Sequence, residues 1–265
     1  MDFNNINSRN LRVTLLGTGT SGGVPSLGCH CEVCSSNDPR DKRLRCVALV
    51  ETATTRVLID SGPDIRQQLM PLDFKPFDGI LLTHLHYDHV GGIDDLRPFS
   101  VFGPINIYAD SKTSERLHQT MPYCFGEHLY PGVPKLALHT VEPHKSIRIG
   151  DISIMPIEVM HGKMPILGFR IGRFAYITDM KTIADMEIPY LMGVDTIVVN
   201  ALRFEKEHHS HQLVDDAVGF VRRIGAKRAY ITHVSHQIGL YDEASRRLPE
   251  GVELAYDGEV IETEL

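Results

Sequence analysis

No stretch of this 265-residue chain approaches the roughly 20 consecutive apolar residues that cross a bilayer. The opening residues, Met1-Asp2-Phe3-Asn4-Asn5-Ile6-Asn7, lack the basic and apolar regions of a secretory signal. Cysteine is scarce: there are five, an odd number, with three bunched together, which speaks against a disulfide framework. These absences predict a cytoplasmic protein with no membrane partner. Positive charge is also short, with 27 Lys and Arg against 34 Asp and Glu, a net charge of −7. A protein that binds a long polyanion usually shows a basic balance or stripe, so no long nucleic acid is expected. The basic cluster Arg40, Lys42, Arg43, Arg45 is broken by Asp41 and reads as a solvated loop. There is no repeat, low-complexity segment or convincing linker. Residues 1–265 are therefore read as one domain, long enough to bury a substantial core.

Short apolar runs bounded by Gly, Pro and Asp dominate what is present, and these are strand-like. The first is Arg12 to Leu16, followed by Cys46–Val50, Val57–Ile59, Ile80–Leu82 and Ile105–Tyr108. Later runs are Ile147–Ile149, Ile152–Ile157, Gly168–Ile171, Ala175–Thr178, Thr196–Val199 and Ala229–Ile231. Helical spacing is clearest in Gln212–Arg223, where Leu213, Ala217, Phe220 and Val221 share a face, and weaker in Tyr241–Leu248. Met121–Lys135, with three prolines and two glycines, reads as a long loop that can serve as a lid. The glycine-rich turn Gly17–Gly23 follows a strand, but no Lys-Ser/Thr follows it as in a phosphate-binding loop. It reads as a structural turn near the site.

The densest chemistry is Leu82-Thr83-His84-Leu85-His86-Tyr87-Asp88-His89, at the end of an apolar run. Side chains two apart on an extended strand point the same way, so His84 and His86 can reach one ion together. After a turn, Asp88 and His89 can reach a second. A paired site of this kind orients a substrate and makes hydroxide from water near neutral pH. His161, Asp179 and His233 also follow apolar runs, which places them on loops at strand ends. Separately, Cys29-His30-Cys31-Glu32-Val33-Cys34 clusters three thiols, a density that favours tetrahedral zinc. His30 is constrained by its neighbours, so the fourth ligand is assigned to His236, three residues after His233.

The run His-x-His-x-Asp-His, followed in order by His161, Asp179 and His233, resembles the metallo-β-lactamase superfamily over almost the whole chain. The resemblance implies an α/β fold, the four-layer αββα sandwich of that superfamily. It implies one metal on His84, His86, His161 and Asp179, and another on Asp88, His89, Asp179 and His233. Asp179 would bridge the two, and Asp60 would orient a metal-ligand loop from behind. Zn, Mn or Fe suits such ligands. The Cys-x-Cys-x2-Cys clip and the ending Thr232-His233-Val234-Ser235-His236-Gln237 narrow the likeness. They resemble the phosphoribosyl 1,2-cyclic phosphate phosphodiesterases of the carbon–phosphorus lyase pathway. That family implies hydrolysis of a small cyclic phosphodiester through a metal-bridging hydroxide, one structural zinc, and a homodimer. It also carries a His before the last helix, here His211, which would contact the phosphate or protonate the leaving oxygen; Asp88 joins it among the catalytic residues. His208 and His209 have no matching role and read as loop residues.

Two rivals share the motifs. One is the tRNA 3′-end endonuclease family, which typically carries a basic arm between the third His and the bridging Asp. Here His161 and Asp179 are only 18 residues apart, enough for a hairpin. The other is a metal-bound carrier without hydrolytic activity, like the quinone-cofactor biosynthesis protein with a similar cysteine clip. A thiolesterase or lactamase also remains open, because the same metals attack carbonyls.

Overall fold

The structure is a computed structural model and describes residues 10–125 and 132–265. The first sheet contains β1 (Asn10–Gly17), β2 (Val47–Glu51), β3 (Arg56–Ile59), β4 (Gly79–Leu81), β5 (Ile105–Ala109), β6 (Leu136–Thr140) and β14 (Glu259–Glu264). The second contains β7 (Ile147–Ile149), β8 (Ile152–His161), β9 (Met164–Ile171), β10 (Phe174–Ile177), β11 (Thr196–Asn200), β12 (Arg228–Thr232) and β13 (Val252–Leu254). Their orders are β14-β1-β2-β3-β4-β5-β6 and β13-β12-β11-β10-β9-β8-β7. The sheets are mixed: β1, β2 and β3 pair antiparallel, while β3–β6 and β10–β13 pair parallel.

Burial explains the layering. Leu11, Val13 and Leu15 of β1 alternate inward and pack with Phe169, Phe174, Tyr176 and Ile261 between the sheets. Strands buried on both faces read as continuous apolar runs, as in Thr196–Asn200, where every residue is buried. The outer face of the second sheet carries the helix Val214–Ile224, whose Val214, Ala217, Phe220 and Val221 are buried against it. The outer face of the first sheet is covered by Ile65, Ile93, Leu96 and Leu117 from helical segments. The result is the expected four-layer αββα sandwich. Among the described residues, no helix is long and apolar enough to cross a membrane.

Two local expectations need correction. The helix expected over Gln212–Arg223 begins at Val214, because Leu213 is extended (φ −88°, ψ 170°) and its N–H donates to Asp216. His211 therefore does not open the helix, and Asp215 and Asp216 already occupy its positive end. The basic cluster is not uniformly solvated. Arg43 is buried, donating to Thr18 Oγ1 and the Ala255 carbonyl, and Arg45 pairs with Asp64 at 2.9 Å. The expected lid contains a turn at Pro122–Cys124 and leads into β6 at Leu136; residues 126–131 lie outside those described.

Candidate metal centre

The site is assembled where strands stop. Asp60 follows β3, His84 lies just beyond β4, and His161 is the last residue of β8. Asp179 follows β10 by two residues, and His233 follows β12 directly. Asp60, Asp179 and His233 all adopt left-handed backbone, with φ of 66°, 57° and 55°. This conformation is uncommon for a side-chain-bearing residue and persists only where surrounding structure enforces it. β3, β10 and β12 thus each lead into such a bend at a residue of the candidate site.

The structure brings the seven expected ligands together. The donor atoms of His84, His86 and His161 lie within 4.8 Å of one another, as do those of Asp88, His89, Asp179 and His233. Asp179 also groups with His161 and His211 within that span, which places its carboxylate between the two triads. Asp179 Oδ2 is 3.2 Å from His89 Nε2 and 3.1 Å from His233 Nδ1. His84 Nε2 faces His86 Nδ1 at 3.0 Å.

Hydrogen bonds at the far side of each ring fix which nitrogen is left for an ion. His161 Nδ1 donates to the carbonyls of Asp179 and Ser210 at 2.8 and 2.9 Å, so Nε2 keeps its lone pair. His89 Nδ1 lies 2.7 Å from Asp60 Oδ2, leaving Nε2 toward Asp88 and Asp179. Thr83 Oγ1 links His84 Nδ1, at 2.9 Å, to the same Asp60 carboxylate. Asp60 thus holds two ligand rings from behind. Burial pushes its pKa up, and His89 and Thr83 work against that. For Asp179 burial also pushes upward, but His233 and His89 outweigh it and hold the carboxylate well below its ordinary range.

The donor set fits a pair of divalent ions. His89 Nε2 and His233 Nε2 are buried and have no hydrogen-bond partner, a costly state unless a ligand completes them. Imidazole and carboxylate together suit Zn, Mn or Fe. His211 Nδ1 is equally buried and unpartnered, 3.8 Å from Asp179 Oδ1. Its ring lies 4.7 Å from that of His161 and 4.8 Å from that of His233. Burial first, then His233, holds its pKa down at about 3.

The clip also assembles. Cys29, Cys31, Cys34 and His236 place their donor atoms within 4.8 Å of one another. His236 Nδ1 is 3.5 Å from Cys29 Sγ and 3.2 Å from Cys31 Sγ. The Cys34 backbone N–H and His236 lower Cys31 to about 6, so its thiol ionises easily, while burial pushes Cys34 up to about 11. The glycine-rich turn is structural, as expected. A Cβ on Gly17 would lie 2.0 Å from the Arg45 carbonyl, and Thr20 N–H donates to the Val234 carbonyl at 3.0 Å.

Asn200 was not singled out from the sequence. It is fully buried, accepts from Met180 N–H at 2.8 Å and donates to the Met180 carbonyl at 2.9 Å, clamping the Asp179 loop. The signal was a polar residue ending the apolar run Thr196–Val199. Asp60→Asn is a direct test of the support behind the ligands. An amide presents only one acceptor oxygen to His89 and Thr83, so activity and metal content are expected to fall about 10- to 100-fold in affinity or rate. Unchanged metal content and turnover would show that Asp60 does not position the ligands.

Comparison with known proteins gives consistent matches. The model of the β-lactamase superfamily domain matches residues 55–234. A crystal structure described as a new diphosphatase from the PhnP family superimposes with a TM-score of 0.89 at 38% identity, covering 97% of this chain and 98% of the other. The zinc-bound PqqB of Methylobacterium extorquens shares the fold, with a TM-score of 0.77 at 20% identity over 94% of this chain and 99% of the other. In sequence, a Porphyromonas gingivalis protein named octanoyltransferase is 42% identical over 249 residues, 94% of this chain but 51% of its own length. The chain thus spans about half of that relative.

Proposed function

The chain belongs to the β-lactamase superfamily, and from that premise we propose that it is a dinuclear-metal phosphodiesterase acting on a small, cyclic or activated phosphodiester. The observation that carries this reading is the donor arrangement: three histidines beside a group of Asp88, His89, Asp179 and His233, with the Asp179 carboxylate also grouped with His161 and His211. In it, His84, His86 and His161 hold one ion, Asp88, His89 and His233 the other, and Asp179 both; Cys29, Cys31, Cys34 and His236 hold a structural zinc. Two bound divalent ions would supply a hydroxide nucleophile near neutral pH and neutralise the phosphoryl oxygens. The similarity to a PhnP-family diphosphatase supports phosphorus over carbon as the centre attacked.

The chain's own residues divide the remaining work. Asp60 and Thr83 keep His89 and His84 in the ligating tautomer. Asp88, held below its ordinary pKa by His89 although burial opposes this, stays ionised at the mouth of the site. His211 contacts the phosphate and can protonate the leaving oxygen, once a bound anion offsets the burial that keeps the ring neutral. The connection from His161 to Asp179 is a two-residue turn, β9 and β10, with no arm for a long RNA.

The test compares leaving groups. His211→Ala should lower kcat about 10²–10⁴-fold for an alkyl ester, whose alkoxide needs a proton. The loss should be much smaller for a nitrophenyl ester, and metal content should not change. Equal losses would remove His211 as the acid. Hydrolysis of an octanoyl thioester without any phosphodiester turnover would move the reaction to carbonyl chemistry, the reading the octanoyltransferase relative favours. Cleavage of precursor tRNA with no activity on small phosphodiesters would favour the endonuclease.

A further inference from the structure

The cysteine clip carries a chemistry that neither ion binding nor hydrolysis uses. Its three thiols differ in access: Cys31 is exposed, Cys29 half-buried and Cys34 buried. One thiol therefore meets solvent while a second is shielded close behind it. Cys31 and Cys34 are separated by a single helical turn. Cys31 caps the helix Glu32–Ser35, and Ser35 N–H donates to the Cys31 carbonyl at 2.9 Å. Their sulfur atoms already lie within 4.8 Å of each other. Turning the two side chains, without unfolding the loop, brings them to bonding distance. The remaining cysteines, Cys46 and Cys124, are buried and outside the clip.

We propose that the clip is a reversible oxidation site, at which a peroxide joins Cys31 to Cys34 and releases the ion that the four residues hold. This rests on the clip reading above and is independent of the reaction at the paired site. An accessible thiolate with a second thiol beside it is the arrangement found in oxidation-sensing cysteines. Cys31 sulfur attacks one peroxide oxygen. The S–O bond forms, the O–O bond breaks, and hydroxide leaves, giving a sulfenic acid. Cys34 thiolate then attacks that sulfur. The S–S bond forms, the S–O bond breaks, and a second hydroxide leaves. Two electrons have passed from the sulfurs to the peroxide. Cys29 and His236 remain, half of the four donors a structural zinc needs.

The fold carries this change toward the paired site. His236 ends a short segment that begins at His233. Within it, Val234 N–H donates to the Thr18 carbonyl at 3.1 Å, and Thr20 N–H donates to the Val234 carbonyl at 3.0 Å. Freeing His236 releases one end of the segment that carries a paired-site ligand.

The test uses full-length, zinc-loaded protein, with hydrogen peroxide as the probe. Zinc content is first compared with that of Cys29→Ser. A difference of one ion per chain shows a loaded clip; equal contents would overturn the clip and this proposal with it. Peroxide should then release one zinc per chain, and peptide mapping should place a disulfide between Cys31 and Cys34. These two should oxidise at least about ten-fold faster than Cys46 and Cys124, whose burial denies them the reagent. Dithiothreitol together with zinc should restore the original content. Oxidation that leaves the zinc in place, or a disulfide mapped elsewhere, would overturn the switch while leaving the clip intact. Recovery with zinc alone, without a reductant, would show simple dissociation and overturn it equally.

Discussion

Asp179→Ala is expected to abolish hydrolysis, with a loss of at least about 10⁴-fold, and to leave the chain unable to hold two ions at the paired site. The carboxylate is 2% exposed, touches His89 and His233 of one donor group, and groups with His161 of the other. Removing it leaves buried imidazoles around a space in which Asp88 is the one carboxylate left in the donor group to balance two dications. Its main-chain carbonyl still accepts from His161, and the Asn200 clamp on Met180 is untouched, so the loop should keep its course. Alanine is less comfortable than aspartate at a φ of 57°, which costs about 1 kcal/mol. Asp179→Asn is therefore the companion variant: it tolerates this backbone and still removes the charge. Elemental analysis and turnover on a nitrophenyl phosphodiester check both. One ion per chain beyond the clip zinc, in a fully active preparation, would sink the paired site.

How much of this could be read from the sequence depended on range. His84, His86, Asp88 and His89 were legible because four donors fall within six residues and the strand period itself aligns the first two. The inner strands were legible because burial on both faces leaves unbroken apolar runs. β6, β13 and β14 were not: they lie at sheet edges, where Leu136–Thr140 is only partly buried and ends in exposed His139 and Thr140, and Glu259–Glu264 alternates with exposed residues. His161, Asp179 and His233 carry only a weak local signal, a position just after an apolar run; the order of a known family joined them into one set. What no pattern showed was the left-handed bend at Asp60, Asp179 and His233, because that conformation is imposed by contacts distant in sequence. The burial of Arg43 was hidden for the same reason: its partners, Thr18 and Ala255, come from the two ends of the chain.

Loss of the cysteine clip should show in stability before it shows in chemistry. Cys29, Cys31 and Cys34 sit in the first long loop, and His236 comes 202 residues after Cys34. His236 is three residues beyond His233, and the Val234 between them pairs with Gly19 and Thr20. A zinc here would tie the loop from β1 to the strand end that carries a ligand of the paired site. An ion held at 100 to 1,000 times its dissociation constant stabilises the folded chain by about 3–4 kcal/mol. At about 2–4 °C per kcal/mol for a chain of this size, Cys31→Ser should lower Tm by about 10 °C and release one zinc. Cys31 is the informative position because it is exposed, so serine leaves no cavity and the change isolates the ligand. Activity should fall only modestly at low temperature, since His233 is also fixed by β12 and by the Val234 contacts. A variant that melts like the parent and keeps its full zinc content would show that the four residues hold no structural ion.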